Sequence, residues 1–169
     1  MSVSTAQHRQ ESPRQIRAAV VTVSDTRTLE TDRGGLLVEK LLVESGQLVT
    51  TREIVRDEPA QIRTLMERLV DPAAVDAVLI TGGTGIAARD QTYETIGALI
   101  TKAMPGYGEL FRMLSYAEIG PAAMLSRAIG GAIGNVVVLT MPGSTAAVQL
   151  AMEKLIVPEI AHLVYEARK

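Results

Sequence analysis

Short apolar runs recur along the chain and alternate with stretches in which apolar residues follow helical spacing. Runs of this length, rich in Val, Leu and Ile, are typical of strands buried on both faces of a parallel sheet. One of them alternates apolar and polar residues instead, which also predicts a strand. The predicted strands are Ile16–Ser24, the alternating Gln47–Val55, Val75–Gly83 and Asn135–Met141. A further short antiparallel strand is predicted just before the last one, because Gly134 and Asn135 form a reasonable tight turn.

The intervening stretches carry apolar residues three and four positions apart, as one face of a helix requires. Pro59 can open one helix, and Gly46 can end the helix before it. The final stretch has Ser144 as a candidate N-cap and a break or kink before Pro158. The predicted helices cover Asp32–Gly46, the residues after Pro59, a segment from about Gln91, Gly108–Gly120, Pro121–Ile129 and Gly143–Ala167.

This alternation predicts a three-layer α/β/α fold with a mostly parallel sheet, right-handed crossovers and one short antiparallel edge strand. Residues 16–169 are expected to form a single domain, since 169 residues suffice for one full core. Residues 1–15 are polar and aperiodic, so we expect a flexible N-terminal arm.

Composition excludes several classes of protein. Aromatics are 3% of residues and the net charge is -2, so neither a base-stacking surface nor a basic footprint for nucleic acid is present. The absence of Cys and the presence of only two His rule out disulfides, a Ser-His-Asp triad and multi-His metal sites within one chain. The sequence contains neither a membrane span nor a signal peptide, and we expect a cytoplasmic protein without a membrane partner. The core is expected to use Met104, Met113, Met124 and Met152 as filler.

Ligands of open α/β sheets bind beyond the carboxyl ends of the strands. The loops at that edge are Ser24–Thr28, Val55–Pro59, Thr81–Asp90 and Met141–Thr145. In the third of these, Thr81 is followed by Gly82, Gly83 and Gly85, whose backbone can turn with positive φ and approach a ligand closely. Successive N–H groups before a helix favour an anion. The alternative is a glycine-rich turn that merely closes a tight loop.

Two known phosphate-binding motifs are less favoured for this loop. No P-loop sequence is present. A dinucleotide pattern, G-x-G-x-x-A, matches Gly83–Ala88, but it follows the third strand, and polar residues separate it from the helix. An NAD-dependent reductase is therefore less favoured than phosphate-ester chemistry.

Two acids accompany the loop. Asp57 ends the second strand and Asp90 follows the glycines, so both are expected in one crevice, where two carboxylates could hold Mg²⁺ together with substrate phosphates. Asp90 could instead be a helix N-terminal acid, and Asp57 a turn residue. Ser24 and Asp25 end the first strand in a similar way. Ser144, after Pro142 and Gly143, could be a ligand-binding residue or a simple N-cap.

Four blocks taken in order resemble the MoaB/MogA family of molybdenum cofactor biosynthesis proteins, and their joint occurrence is far more specific than any one block. The resemblance runs from about Arg17 to His162 and is nearer to the MoaB branch. The blocks are TGGTGIAARDQTYE, PGYGELFRMLSYAEIG, LSRAIGG and MPGSTAAV.

The resemblance implies a molybdopterin-binding domain that, in active members, adenylylates molybdopterin with Mg-ATP and releases pyrophosphate. It implies that Gly82, Gly83, Thr84 and Gly85 hold nucleotide phosphate. Asp57 and Asp90 would be catalytic and would position Mg²⁺, while Pro142, Gly143 and Ser144 would face the phosphate side of the pterin. It also implies trimers or hexamers.

The family's usual Asp-x-Thr-Pro-Glu-Ala is here Asp90-Gln91-Thr92-Tyr93-Glu94-Thr95, with Tyr for Pro and Thr for Ala. We expect this departure to alter helix initiation rather than catalysis. An adenylyltransferase is the first hypothesis. The second is a non-catalytic molybdopterin carrier that hands its ligand to the downstream molybdate-insertion protein.

Overall fold

The computed structural model describes residues 11–169, and its centre is a six-stranded sheet. The strands are β1 (Arg17–Val23), β2 (Leu48–Val55), β3 (Ala77–Thr81), β4 (Lys102–Ala103), β5 (Gly130–Ile133) and β6 (Val136–Met141). Their order across the sheet is β2-β1-β3-β6-β5-β4. The pairs β1–β2, β1–β3 and β3–β6 are parallel, whereas β5 runs antiparallel to both β6 and β4. The predicted α/β class is confirmed, together with its antiparallel strand and the turn at Gly134.

The helices are α1 (Arg33–Glu44), α2 (Pro59–Leu69), α3 (Thr92–Leu99), α4 (Pro105–Ile119), α5 (Thr145–Ala151) and α6 (Val157–Ala167). A 3₁₀-helix, Gly120–Leu125, follows α4, and a π-helical turn, Met152–Ile156, joins α5 to α6. This π-turn is the interruption predicted before Pro158. It inserts a wider turn into an otherwise continuous helical segment.

The core has two halves, one on each face of the sheet. One half packs α1, α4, α5 and α6 against the sheet around Phe111, Leu139 and Ile156. The other packs α2 and α3 around Ile62, Ile80 and Ile96. Strands covered on both faces need apolar residues at every position, which explains the continuous runs in β1, β3 and β6.

Three predictions of detail are wrong. The helix expected over Pro121–Ile129 is a short 3₁₀-helix that ends at Leu125, and Ser126–Ile129 is not helical. The preceding helix begins at Pro105 rather than Gly108. Met113 and Met124 are not core filler, because they are 60% and 79% exposed. The two-residue β4 was not predicted, since its strand pairing depends on β5 rather than on its own sequence.

The predicted arm at 1–15 lies mostly outside the described residues. Within the described part, Gln15 donates its side-chain N–H to the carbonyl of Gly46 at 3.0 Å. Along residues 11–169, no helix is long and apolar enough to cross a bilayer.

Candidate functional site

The loops that follow β1, β2, β3 and β6 are tied together at one edge of the sheet. The N–H of Ser24 donates to Val55 O at 2.9 Å, and the N–H of Gly82 donates to Met141 O at 3.1 Å. The Thr81 hydroxyl donates to Pro142 O at 3.2 Å. The predicted convergence of these loops at one sheet edge is therefore observed.

The glycine loop lies so close to its neighbours that side chains are excluded. Gly82 and Gly83 have φ of 98° and 65°, a region that non-glycine residues rarely adopt. A Cβ on Gly82 would lie 2.3 Å from Val23 O, and one on Gly83 would lie 2.0 Å from the Thr92 Oγ1. Gly82 and Gly83 are therefore required by both the backbone conformation and the space around them.

A cavity of about 380 Å³ opens in front of this loop. Arg27 is the one charged side chain among its lining residues. Backbone of the glycine loop and small hydroxyl side chains form much of the remaining wall. The lining residues are Thr22, Val23, Ser24, Thr26, Arg27, Gly82, Gly83, Thr84, Gly85, Leu125, Pro142 and Gly143.

Asp57 lies directly against the loop, and only 6% of the residue is exposed. Its Oδ1 accepts from the N–H of Gln91 at 3.2 Å and from the Thr92 hydroxyl at 3.1 Å. Burial raises the pKa of this carboxyl, and the negative charge of Asp90 adds to the rise, although the two hydrogen bonds oppose it. An added cation would relieve the cost of ionising Asp57 here.

Asp90 and Asp25 also bind groups of these loops. Asp90 Oδ2 accepts from the N–H of Ala87 at 3.0 Å. A Cβ on Gly85 would collide with the same oxygen. Asp25 Oδ1 accepts from the N–H of Asp57 at 3.2 Å, and its other oxygen pairs with Arg89. Three carboxylates therefore fix the backbone of the loops around the cavity.

Arg127 supports the loop from behind and was not predicted as a site residue. Its Nε donates to Thr84 O at 2.8 Å, while its two Nη atoms pair with Glu94 at 2.7 and 3.0 Å. The guanidinium also lies 4.4 Å from the ring centre of Tyr93. Tyr93, which stands where the family pattern has proline, thus contacts the arginine that binds the loop. Helix α3 begins at Thr92, and its N-cap residue Gln91 makes no side-chain capping hydrogen bond.

The structure places most predicted site residues together but in different surroundings. Ser24, the glycine loop with Thr84, Pro142 and Gly143 line the cavity, whereas Thr81 is buried behind it. Ser144 Oγ accepts from the N–H of Ala147 at 3.2 Å, which makes it the N-cap of α5. Ser144 lines a separate groove of about 190 Å³ beside the cavity.

Sequence reasoning missed Arg27 and Leu125 as well as Arg127. Arg27 lies in a loop that the strand pattern had already marked as a ligand loop. Arg127 lies inside one of the quoted family blocks. Leu125 is the first residue of the same block, ends the 3₁₀-helix and lines the cavity.

Comparisons with known proteins identify the family of the chain. Residues 19–162 match the family described as "Probable molybdopterin binding domain". The chain is 50% identical over 168 residues to molybdenum cofactor biosynthesis protein B of Bacillus cereus, with 99% of each chain covered. The chain belongs to the MoaB/MogA family of molybdenum cofactor biosynthesis proteins.

Solved structures of this family share the fold. A crystal structure of molybdenum cofactor biosynthesis protein B superimposes with a TM-score of 0.89 at 52% identity, covering 93% of this chain and 98% of the other. The tungsten cofactor synthesizing protein MoaB from Pyrococcus furiosus gives 0.84 at 34% identity, covering 94% and 100%. The resemblance drawn from the sequence blocks, including its MoaB leaning, is confirmed.

Proposed function

We propose that the protein catalyses Mg-ATP-dependent adenylylation of molybdopterin. In this reaction a phosphate oxygen of molybdopterin forms a bond to the α-phosphorus of ATP. The bond from that phosphorus to the oxygen bridging to the β-phosphorus breaks, and pyrophosphate leaves. The products are adenylylated molybdopterin and pyrophosphate.

The observation that carries the proposal is the cavity walled by glycine backbone, with Asp57 and Asp90 held against its loop. Phosphoryl-type transfer asks a protein mainly for positioning and charge stabilisation, which requires neither His nor Cys. Backbone N–H groups of Gly82–Gly85 would bind phosphate oxygens. Pro142 and Gly143 would face the second substrate across the cavity.

The site fits a magnesium ion that arrives with the nucleotide. Mg²⁺ commonly takes one or two carboxylates, with water and substrate phosphates completing its coordination. Asp57 and Asp90, which lie against Gly83 and Gly85 of the glycine loop, would supply these carboxylates. When bound, the ion would neutralise phosphate charge.

Pyrophosphate release tests the proposal. Purified protein, molybdopterin and Mg-ATP are combined, and release is compared between wild type and Asp90→Asn. Asparagine can still accept from the N–H of Ala87, so the variant removes charge while the loop is retained. We expect release to fall about 100-fold or more, as for loss of one transition-state contact. Glu67→Gln, on the exposed face of α2, is the matched control.

The alternative is a molybdopterin carrier without turnover, which could deliver its ligand to the molybdate-insertion protein. The same assay separates the two, since a carrier binds molybdopterin saturably and releases no pyrophosphate. An NAD-dependent reductase predicts a rise in Tm with NAD, whereas the adenylyltransferase predicts a rise with ATP and Mg²⁺.

We also propose that the protein works in the cytoplasm as a trimer or hexamer. Six large apolar side chains along α4 and the 3₁₀-helix are 47–79% exposed, and exposed apolar surface of this kind is typical of an interface. We call this set the α4 apolar face; it comprises Leu110, Met113, Tyr116, Ile119, Met124 and Leu125. Its occupant would be a second copy of the chain.

A further inference from the structure

Arg27 stands in the cavity wall with most of its hydrogen-bonding capacity unused. Within residues 11–169, its guanidinium contacts protein only through Nη1, which lies 3.5 Å from Gly143 O and 3.8 Å from Asp32 Oδ1. Both separations are long for hydrogen bonds. A guanidinium has five N–H donors, so Nε and Nη2 are available to a ligand.

The backbone fixes where this side chain starts. The N–H of Arg27 donates to Ser24 Oγ at 3.2 Å, which holds the loop after β1 in a turn. The side chain then reaches towards Gly143 in the loop after β6. In the cavity wall, Arg27 therefore connects the loop after β1 with the loop after β6.

A buried carboxylate stands behind Arg27. The Asp32 side chain is fully buried and accepts from the Thr22 hydroxyl at 2.7 Å and from the N–H of Gly35 at 2.9 Å. Arg52 donates to its Oδ2 at 3.3 Å, close enough to supply a hydrogen-bonded countercharge. Asp32 is thus satisfied without Arg27.

This division of partners leaves a positive charge at the cavity. Arg52 is itself shared between Asp32 and Glu39, with its Nε 2.8 Å from Glu39 Oε2. Arg27 Nη1 lies 3.8 Å from Asp32 Oδ1, so the two charges attract each other without forming a short hydrogen bond. A guanidinium held this way suits the planar, two-point recognition of a phosphate group.

We propose that Arg27 binds a phosphate group of the ligand in this cavity and that Asp32 is the positioning residue that holds Arg27 there. The inference rests on the proposed function in that the ligand carries phosphate. It adds a cationic side chain to the backbone N–H groups that are proposed to bind phosphate. The phosphate belongs either to the nucleotide or to the pterin, and the choice of probe separates these sources.

The experiment is isothermal titration of inorganic pyrophosphate, AMP, adenosine and molybdopterin into the full-length protein. Arg27→Met should weaken pyrophosphate and AMP about 10–100-fold, the range for a charge-assisted hydrogen bond, and leave adenosine unchanged. Arg27→Lys should recover part of the loss, because it restores charge without the fork. Arg63→Met on the exposed face of α2 removes the same charge elsewhere and should match wild type.

A double-mutant cycle tests the role of Asp32. Asp32→Asn keeps an acceptor for Gly35 and should weaken pyrophosphate severalfold, yet have no further effect in the Arg27→Met background. A purely structural role would weaken binding equally in both backgrounds. Thermal melting of each variant confirms that it is folded.

The outcomes are distinct. If Arg27→Met loses affinity for AMP, Arg27 binds the nucleotide phosphate. If it loses affinity for molybdopterin alone, Arg27 binds the pterin phosphate. Both results support the inference. If wild type binds these probes and Arg27→Met binds them with the same affinity, the inference is overturned and the proposed function still stands. Failure of wild type to bind any phosphate probe overturns both.

Discussion

Gly83 has a backbone conformation that favours glycine, and it lies tightly packed within the candidate site. Its φ of 65° is unfavourable for alanine, and a Cβ would lie 2.0 Å from Thr92 Oγ1 and 2.6 Å from Asp57 Oδ2. Gly83→Ala should therefore destabilise the protein by about 2–4 kcal/mol, through backbone strain and overpacking together. Urea unfolding measures this loss, and pyrophosphate titration should show that binding is lost as well.

Gly46 is a matched control for Gly83. Its φ is 83°, but a Cβ there would have no atom within 4 Å. Gly46→Ala should therefore show only the strain, about 1–2 kcal/mol, and keep pyrophosphate affinity. Equal destabilisation by the two substitutions would mean that space around Gly83 is not limiting.

Asp57 is expected to trade stability for function. Burial raises its folded-state pKa, so between the unfolded and folded pKa values the native protein binds more protons than the unfolded chain. Stability is then lost as pH rises through that window, and the loss persists at neutral pH. Asp57→Asn should raise the unfolding free energy at pH 7 by about 0.5–2 kcal/mol, because the cost of ionising a buried carboxyl is removed. The same substitution should abolish turnover.

The pH dependence checks the cause. Unfolding of Asp57→Asn and wild type is measured from pH 7 down to about 4, near the unfolded carboxyl pKa. The advantage of the variant should hold above the folded-state pKa and shrink below it, as Asp57 becomes protonated in the wild type. A constant advantage across this range would point to packing rather than charge.

Helix α5 begins at a residue for which sequence reasoning gave two roles. Ser144 caps the helix through the N–H of Ala147, so Ser144→Ala should cost about 1 kcal/mol in the unfolding free energy. Ser144→Asn supplies another capping oxygen and should recover most of that loss. A ligand role for the hydroxyl predicts instead that both variants weaken pyrophosphate equally, and titration of the two separates the roles.

The parallel strands could be predicted from sequence because burial on both faces leaves a continuous apolar run. The same holds for the loops at their carboxyl ends, since parallel strands bring those ends to one edge. Ser126–Ile129 could not be predicted, because long-range bonds set its path: Arg127 Nε donates to Thr84 O and the N–H of Ile129 donates to Thr140 Oγ1. These contacts override a locally helical pattern.

The cavity wall shows the same limit. The role of the loop glycines could be predicted from the sequence, because backbone freedom is a property of each glycine itself. Arg27 lies near Asp32, the N-cap of α1, which also pairs with Arg52 of β2. The role proposed for Arg27 therefore emerges only when these elements are packed.

At the opposite edge of the sheet, Asp76 joins distant parts of the chain. It accepts from the backbone N–H of Arg17 at 2.7 Å, forms an ion pair with the Arg17 guanidinium at 2.6 Å, and pairs with Arg168 after α6. Burial alone would raise the pKa of Asp76, but the hydrogen bonds from Arg17 and the charges of Arg168 and Arg17 lower it overall. Its stabilisation is therefore present above the unfolded carboxyl pKa and lost as pH falls through the folded value.

Asp76→Asn should reduce the unfolding free energy at pH 7 by about 2 kcal/mol, less than for a fully buried pair because both arginines are partly exposed. The difference from wild type should vanish in acid, once Asp76 is protonated. Urea unfolding across pH, with Glu67→Gln as an exposed control, measures this. A deficit that persists undiminished in acid would contradict an ionic role.

The α4 apolar face links the single chain to its proposed assembly. Four of its residues on α4 recur every three positions, Leu110, Met113, Tyr116 and Ile119, so successive side chains meet on adjacent turns. Leu125 continues this face into the wall of the ligand cavity. Association through this face would therefore place a second copy beside the site.

A charge at the centre of the face should prevent this association. Wild type is expected to sediment as a trimer or hexamer of the 18.1 kDa chain, and Met113→Lys as a smaller species, because lysine is poorly tolerated in a desolvated interface core. Val43→Lys places the same charge on a similarly exposed apolar site of α1 and should sediment as wild type. A monomeric wild type, or a Met113→Lys variant that assembles fully, would show that this face is not the interface.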